Sequence, residues 1–238
     1  VRDLTSIPLL TLLLLPMAVA VLQDDAASNP YFSMKNNGPK AKRCRRQGMN
    51  LYGTDKYDKI LQRKPYGPGK GPRDNQGKKS EFATQLLEKQ KARDMYGLSE
   101  SQFRRLYLMA TKVSGQTGAA FTQLLERRLD NAVFRAGFAM TRPQARQFVG
   151  HGLFMVNGKR VTVPSFQVRP GDVITIRTQT KDSPTFASIL AAHEKYLPPA
   201  WLAADHSGAK ITVQSLPGPE HAEQALDIRK IVEFYSRK

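Results

Sequence analysis

The sequence predicts an α+β fold in which amphipathic helices precede a small antiparallel sheet. Apolar residues recur at three- and four-residue steps between positions 81 and 137, which is the period of helices that bury one face. Between positions 153 and 177, short β-prone runs alternate with the turn sequences Asn157-Gly158 and Pro170-Gly171-Asp172. Helices followed by hairpin-forming strands are typical of an α+β domain.

The charge balance narrows the possible functions. Lysine and arginine number 37 against 20 acidic residues in 238, a formal net charge of +17. A chain this basic repels itself when compact, so we expect an anionic partner, with nucleic acid first and a membrane surface second. The single cysteine, Cys44, excludes an internal disulfide and a multi-cysteine zinc site, and the histidines show no metal-ligand or catalytic spacing.

The first 33 residues differ in kind from the rest of the chain. Ile7 to Leu22 is apolar apart from one threonine, holds two prolines, and is short for a membrane span. Ala18-Val19-Ala20 resembles a signal-peptidase site. Three interpretations stay open: an extension absent from the working protein, with Met34 as its true start; a cleaved presequence; or an anchor. We favour the first, because export would separate so basic a chain from its anionic partner.

Residues 34–80 are predicted to form an extended basic arm. Glycine and proline interrupt this stretch, and it has few apolar residues to anchor it. Such segments stay mobile in isolation and order against a charged surface. The interleaved Tyr52, Tyr57 and Tyr66 favour stacking on nucleic acid, and a solvated flexible tail is the alternative.

Three helices are predicted to follow the arm. The segment EFATQLLEKQKARDMYG begins at Glu81 and ends at a glycine, and Ser99 caps the helix after it. The segment from Phe121 to Phe138 has the clearest period, with one apolar stripe and its arginines mostly outside that stripe. We expect a single helix there, closed by Gly137.

A helix–hairpin unit begins at Thr141. Thr141 and Gln144 have the spacing of a capping box, so a helix is expected to start there and to end at Gly150-His151-Gly152. A strand from Leu153 to Val156, a tight turn and a closing strand from Val173 to Arg177 complete the unit. We therefore expect two helices leaning on a small hairpin sheet.

One side of this unit is predicted to be cationic. Its basic residues are Arg127, Arg128, Arg135, Arg142, Arg146, Lys159 and Arg160. A rigid surface with fixed guanidinium groups suits folded RNA, which is recognised mainly through shape, phosphate and 2′-hydroxyl contacts. The alternative is that some of these arginines only solvate helix faces or pair with Asp130 and Glu126.

Several stretches resemble one known family. LLERRLDNAVFRAGFAMTRPQARQFVGHGLFMVNGKRVTVPSFQVRPGDVI closely resembles the RNA-binding module of the bacterial small-subunit ribosomal protein S-four family. GPKAKRCRRQGMNLY and PYGPGKG are similar to that family's N-terminal arm, EKQKARDMYGLSESQFRRLY to its helical domain, and IVEFYSRK to its C-terminus. The resemblance covers residues 34–238. Many members hold zinc through a cysteine cluster in the arm; Cys44 is alone here, so no metal is expected.

The resemblance implies a helical domain with the RNA-binding module inserted in it, plus the basic arm. The expected boundaries are 1–33 for the extension, 34–80 for the arm, 81–126 for the first part of the helical domain, 127–177 for the module, and 178–238 for the return to the helical domain and the C-terminal tail.

The resemblance also implies a structural protein of the small ribosomal subunit, in the cytoplasm, and not an enzyme. Such a protein binds small-subunit ribosomal RNA early and nucleates assembly. It lines the entry channel for messenger RNA beside ribosomal proteins S-three and S-five, and it contributes to translational accuracy. No cofactor, membrane contact or homo-oligomer is expected.

The residues expected to contact ribosomal RNA are mostly basic side chains of the arm, the helical domain and the module. They are Lys40, Lys42, Arg43, Arg45, Arg46, Arg63, Lys64, Tyr66, Lys70, Lys89, Lys91, Arg93, Arg104, Arg105, Arg127, Arg128, Arg142, Gln144, Arg146, Gln147, His151, Asn157, Lys159 and Arg160. Those expected to face messenger RNA are Arg73, Lys78 and Lys79. If the module's arginines face RNA, replacing Arg142 and Arg146 by alanine should weaken RNA binding without unfolding the chain.

Two alternatives share the same module. An RNA-modifying enzyme of the pseudouridine-synthase type would need a separate catalytic domain, which nothing in the chain supplies. Asp130 is flanked by arginines in a helical pattern, so we interpret it as an ion-pair partner and not as a catalytic aspartate. A stress protein that binds stalled ribosomal subunits would be shorter and would lack the arm and the helical domain.

Overall fold

The computed structural model describes residues 38–69, 71, 77–178, 184–193 and 196–237. The extension 1–33, Lys70 and Arg73 lie outside the described residues. The helices are α1 Lys40–Gln47, α2 Asp55–Arg63, α3 Glu81–Met95, α4 Glu100–Ala110, α5 Thr117–Glu126, α6 Leu129–Arg135, α7 Arg142–Gly150, α8 Pro184–Ala192 and α9 Ile228–Ser236. The strands are β1 Phe154–Val156, β2 Lys159–Arg160, β3 Val173–Ile176, β4 Leu202–Asp205 and β5 Lys210–Val213. The fold is α+β, as predicted.

The prediction of an extended arm is wrong for residues 40–63, which contain α1 and α2. Cys44 is fully buried, and Leu51 and Tyr52 join it in a small cluster with Met95 of α3. Gln47 Nε2 also donates a hydrogen bond to the carbonyl of Leu87 at 3.1 Å. The few apolar residues of this stretch cluster with Met95 of α3, and Gln47 forms a hydrogen bond to the same helix. These contacts hold the stretch against α3.

Helices α3, α4, α5 and α9 pack around an aromatic core. The Phe103 and Phe121 rings meet edge to face with centroids 5.1 Å apart, and Tyr107 stacks on Tyr235 at 4.7 Å. Such pairs add stability beyond their buried area. Ser99 caps α4 as predicted, because its hydroxyl accepts the backbone N–H of Gln102 at 3.3 Å. Since α9 packs against α3 and α5, the chain returns to the helical domain at its C-terminal end.

The single helix predicted from Phe121 to Phe138 is wrong, because the helix breaks between α5 and α6. Arg128 has an extended backbone with φ −64° and ψ 137°. The Leu129 N–H donates to the carbonyl of Phe166 at 2.8 Å, and the Val168 N–H donates to the carbonyl of Arg127 at 2.9 Å. These hydrogen bonds to the segment before β3 replace the helical ones. The break is not visible in the sequence, because the apolar period continues across it.

An antiparallel sheet in the order β2-β1-β3-β5-β4 forms the second layer. The predicted hairpin is confirmed: Asn157 and Gly158 have φ of 49° and 77°, as a two-residue type I′ turn requires. Assigning all of 178–238 to the returning helical domain is wrong for β4 and β5, because β5 pairs with β3. Phe154, Ile174 and Ile211 are fully or almost fully buried under α6 and α7 in one core.

Candidate nucleic-acid interface

The N-terminus of α7 is held by a modified capping box. Thr141 Oγ1 accepts the Gln144 N–H at 3.4 Å, as predicted. The Gln144 side chain returns to the Met140 N–H at 2.8 Å instead of bonding to Thr141 itself. Gln144, expected to contact RNA, therefore uses its carbonyl oxygen to fix the entry of the chain into α7.

Glu126 is the centre of a buried polar network where the helical domain meets the module. This last residue of α5 has no solvent exposure. Its carboxylate accepts hydrogen bonds from Tyr96 Oη at 2.5 Å, from Asn131 Nδ2 at 2.7 Å and from Arg135 Nε at 3.0 Å. Arg135 then reaches Glu223 at 3.2 Å, so it pairs with both acids.

Arg142, predicted to face RNA, belongs to this network. Its Nε donates to Asn131 Oδ1 at 2.9 Å, and its terminal nitrogen forms an ion pair with Glu223. Its guanidinium carbon also lies 4.5 Å from the Phe134 ring centre and 5.0 Å from the Tyr96 ring centre. Only 11% of its side chain is exposed. A guanidinium enclosed in this way has little surface left for a phosphate.

Arg128 is also turned inward. Its guanidinium forms two hydrogen bonds to the Asp130 carboxylate, at 3.0 and 2.7 Å, and both side chains are buried. The interpretation of Asp130 as an ion-pair partner is confirmed. The alternative in which arginines pair with Asp130 and Glu126 describes Arg128 and Arg135 correctly. A single outward side containing all the module's arginines is therefore wrong.

Arg146 holds an intermediate position, with 36% of its side chain exposed. One of its terminal nitrogens donates to the carbonyl of Gly97 at 3.1 Å and lies 3.8 Å from Asp130. Gly97 belongs to the turn after α3, so this bond joins the module to the helical domain. Burial lowers the pKa of Arg146, and Asp130 opposes that effect.

The electrostatics of the junction favour the charged forms. Burial opposes ionisation of Glu223, but Arg142 and Arg135 outweigh it and lower the pKa of this carboxyl. Burial likewise disfavours charge on Arg135, and the Glu126 carboxylate reverses this and raises the pKa of Arg135. Burial raises the pKa of Tyr96 well above its ordinary value, with Glu126 contributing, so Tyr96 stays a donor.

The module residues that were predicted to contact RNA and are exposed lie at the end of α7 and on the hairpin. They are Gln147, His151, Asn157, Lys159 and Arg160. Arg160 donates to the carbonyls of His151 at 3.0 Å and Gly152 at 3.2 Å, so its cation sits at the C-terminus of α7. The Asn157 side chain donates to Asp172 at 2.8 Å and serves the turn. Arg127, by contrast, is partly buried and donates to the carbonyl of Val168 at 2.9 Å.

Further cations that were predicted to contact ribosomal or messenger RNA are exposed between α1 and the end of α4. They are Lys42, Arg46, Arg63, Lys64, Lys78, Lys79, Arg104 and Arg105. Other residues expected to contact RNA are partly buried or engaged within the protein: Lys40 over the Tyr52 ring, Arg43 with Asp94, Lys89 and Arg93 with Glu100, and Lys91 with Glu88.

A cationic groove lies beside α1. It has a volume of about 410 Å³ and is lined by Arg45, Arg46 and Lys79, with no acid among the described residues that line it. Arg45 is fixed in the wall, since it donates to the carbonyls of Tyr66 at 3.1 Å and Gly67 at 3.3 Å and lies over the Tyr66 ring. Arg46, whose side chain is more exposed, remains available to an anion.

Sequence reasoning missed the roles of Glu223 and Asn131. Glu223 lies in a stretch that matched the family only loosely, and nothing in its local pattern points to Arg142, 81 residues earlier. Asn131 had one usable signal, because an amide on the apolar face of a helix needs hydrogen-bond partners when buried. Among the described residues, no group of three or more His, Cys, Asp or Glu side chains could hold a metal ion, and no helix is both long and apolar enough to cross a membrane.

Two family models match adjoining parts of the chain. One, described as the ribosomal protein S4/S9 N-terminal domain, matches residues 35–126, and the other, the S4 domain, matches residues 127–174. The two matches meet at the break between α5 and α6.

Curated bacterial proteins are similar over most of the chain. A protein named small ribosomal subunit protein uS4 from Natranaerobius thermophilus is 44% identical over 206 residues, covering 84% of this chain and 98% of the relative. The proteins of the same name from Treponema denticola and Cutibacterium acnes are 45% and 44% identical, over 84% of this chain and 97% and 98% of their own lengths.

Proposed function

This chain belongs to the uS4 family of small ribosomal subunit proteins, and from that premise we propose that exposed cations of its module and helical domain bind small-subunit ribosomal RNA together. The protein is a structural constituent of the small ribosomal subunit, a cytoplasmic particle in bacteria, and its partners there are ribosomal RNA and ribosomal proteins. The family is not a family of enzymes. No observation on the described residues favours the pseudouridine-synthase or stress-protein alternative.

The observation that carries the proposal is the separation of the module's polar residues into two sets. The buried set, with Arg128, Arg135 and Arg142, is neutralised by acids within the protein. The exposed set around Lys159 has no such role in the core. Cations left at the surface of a protein this basic release counterions when they meet RNA phosphates, and this release supplies the affinity.

The proposed RNA-binding residues are therefore the exposed ones. In the module they are Gln147, His151, Lys159 and Arg160, with Arg146 at their edge. In the helical domain they are Arg104 and Arg105, and around α1 they are Lys42 and Arg46. We assign Arg142, which lies over the Tyr96 ring and pairs with Glu223, to holding the two domains together, and Arg128 to an ion pair inside the module.

We also propose for this protein the more specific roles that its family resemblance implies. We infer that the protein binds ribosomal RNA as a primary binder, nucleates subunit assembly and contributes to translational accuracy. We also infer that it lines the entry channel for messenger RNA beside ribosomal proteins S-three and S-five. Lys78 and Lys79 support a messenger-facing role because both are exposed and no described acid pairs with them. They lie just before α3, and Ser80 caps the N-terminus of that helix, so the backbone that carries them is held in place.

Filter binding of the full chain to a small-subunit ribosomal RNA fragment, at 50 to 200 mM salt, tests the RNA-binding proposal. Lys159→Ala with Arg104→Ala should weaken binding and reduce the slope of log affinity against log salt by about one per lost phosphate contact. Lys210→Ala is the control for the loss of one exposed cation, since β5 is separated from β2, which holds Lys159, by β1 and β3. If the wild-type chain binds ribosomal RNA no better than an unrelated RNA, the proposal fails.

A further inference from the structure

Glu126 touches both sides of the boundary between the helical domain and the module. Tyr96, which donates to its carboxylate at 2.5 Å, follows α3 of the helical domain. Asn131 and Arg135, which donate at 2.7 and 3.0 Å, belong to α6 of the module. The Asn131 side chain also bonds to the backbone carbonyl of Glu126 at 3.1 Å. One buried carboxylate thus joins groups from both domains.

This carboxylate sits at the place where the backbone could bend. Arg127 closes the last turn of α5 with φ −69° and ψ −5°, and Arg128 is extended, so the covalent link between α5 and α6 is only two residues long. Arg135 then continues to the carbonyl of His221 at 3.2 Å and to Glu223. These two residues lie on the stretch by which the chain returns to α9. The network centred on Glu126 therefore bonds to both chain segments that connect the helical domain with the module.

We propose that Glu126 is a positioning residue that fixes the module against the helical domain, so that exposed cations of both meet one RNA at the same time. This inference rests on the proposed RNA-binding function. Glu126 itself is buried and touches no RNA. A preorganised two-part surface binds more tightly than the same parts loosely joined, because the second contact forms without a further ordering cost.

The sign of the effect separates this role from simple electrostatics. Replacing Glu126 by glutamine removes a negative charge from an RNA-binding protein, and by charge alone this would strengthen binding to phosphates. A positioning role predicts the opposite result. Glutamine nearly keeps the shape of the side chain, but it cannot balance the Arg135 cation or accept its paired hydrogen bonds with full strength.

The experiment compares the full chain with Glu126→Gln and with Glu220→Gln, a matched control in which the same charge change falls on an exposed side chain. Ribosomal RNA affinity is measured from 50 to 200 mM salt, and the relative orientation of the two domains in the free protein is measured by residual dipolar couplings. We expect Glu126→Gln to bind about tenfold more weakly, with a shallower salt slope and separate alignment of the two domains. Glu220→Gln should bind at least as tightly as wild type.

Two further variants keep the test decisive if Glu126→Gln does not fold. Tyr96→Phe removes only the hydroxyl that donates to Glu126, and Arg135→Lys keeps the charge but cannot bridge Glu126 and Glu223. Both should weaken RNA binding without any change in net charge. Wild-type affinity and unchanged domain alignment in folded variants would overturn the positioning role. A wild-type chain with no preference for ribosomal RNA would instead overturn the function on which the role rests.

Discussion

The arginines at the domain junction and the cations on the hairpin side of the module have opposite environments. Arg142 contacts two aromatic rings, pairs with Glu223 and bonds to Asn131. Lys159, 17 positions later, is exposed at the start of β2, directly after a two-residue turn. Both raise the net charge of the chain equally, but one stabilises the fold and the other is free to meet an anion. Net charge therefore indicates the class of partner, and burial decides which residues meet it.

The largest expected effect comes from breaking the junction. Arg142→Ala removes one of the two arginine partners of Glu223 and leaves Asn131 Oδ1 without its donor in a mostly buried site, so we expect the free energy of unfolding to fall by about 2–4 kcal/mol. Urea unfolding followed by circular dichroism measures this. Lys159→Ala, the matched loss of one cation, should stay within about 0.5 kcal/mol of wild type because its side chain is exposed.

This outcome differs from the one that the sequence alone suggests. From the sequence, replacing Arg142 and Arg146 would weaken RNA binding without unfolding the chain. A double variant that keeps wild-type stability and loses RNA affinity would support that view and would remove the distinction between junction and surface.

Arg146 sharpens the comparison because it belongs to both regions. Its hydrogen bond to the Gly97 carbonyl supports the junction, and about a third of its side chain is open to solvent. We expect Arg146→Ala to lower the free energy of unfolding by about 1–2 kcal/mol and to reduce the salt slope of RNA binding by about one. An effect on only one of the two measurements would place Arg146 wholly in the junction or wholly in the RNA-binding surface.

The difference between the regions also marks the limit of sequence reasoning. The helix starts at Ser99 and Thr141 and the Asn157-Gly158 hairpin were predictable, because each depends on side chains within four residues. The partner of Arg142 was not, since Glu223 lies 81 positions away and is brought close only by the fold. The sequence alone suggests which cations could bind RNA, but it does not show which of them are exposed. Their exposure depends on which cations form ion pairs with acidic residues inside the protein.

The family resemblance added what local patterns could not supply. It predicted the helical domain and the C-terminal return, and α9 packs against α3 and α5. It did not reveal the break after Glu126 or the strands β4 and β5. Both depend on pairing with distant segments, at residues 166–168 for the break and at β3 for the strands. The α-helical period continues through the break, so periodicity alone favoured one helix.

A pH titration separates the regions by a property that only the junction has. The two arginines lower the pKa of Glu223 below the ordinary glutamate value of 4.5. Because the folded-state pKa is the lower one, this stabilisation is fully present above about pH 4.5 and is lost as the pH falls through the folded-state pKa. We expect Glu223→Gln to lose less unfolding free energy than wild type between pH 7 and pH 3. Glu220→Gln should follow wild type, and an equal loss in all three proteins would show that Glu223 is not coupled to the arginines.

The smallest expected effect tests whether the exposed surface depends only on local structure. Gly158 has a φ of 77°, which a residue with a Cβ adopts at a cost of about 1 kcal/mol, so Gly158→Ala should destabilise the chain by that amount. Gly150, the last residue of α7, has no positive φ, and a Cβ added there would meet no other atom within 4 Å, so Gly150→Ala should be neutral or slightly stabilising. In combination with Arg142→Ala, the cost of Gly158→Ala should add without coupling, because the hairpin turn shares no partner with the junction. A coupling larger than about 0.5 kcal/mol would mean that the turn presenting Lys159 is held in place by the junction, and the two regions would then have to be treated as one.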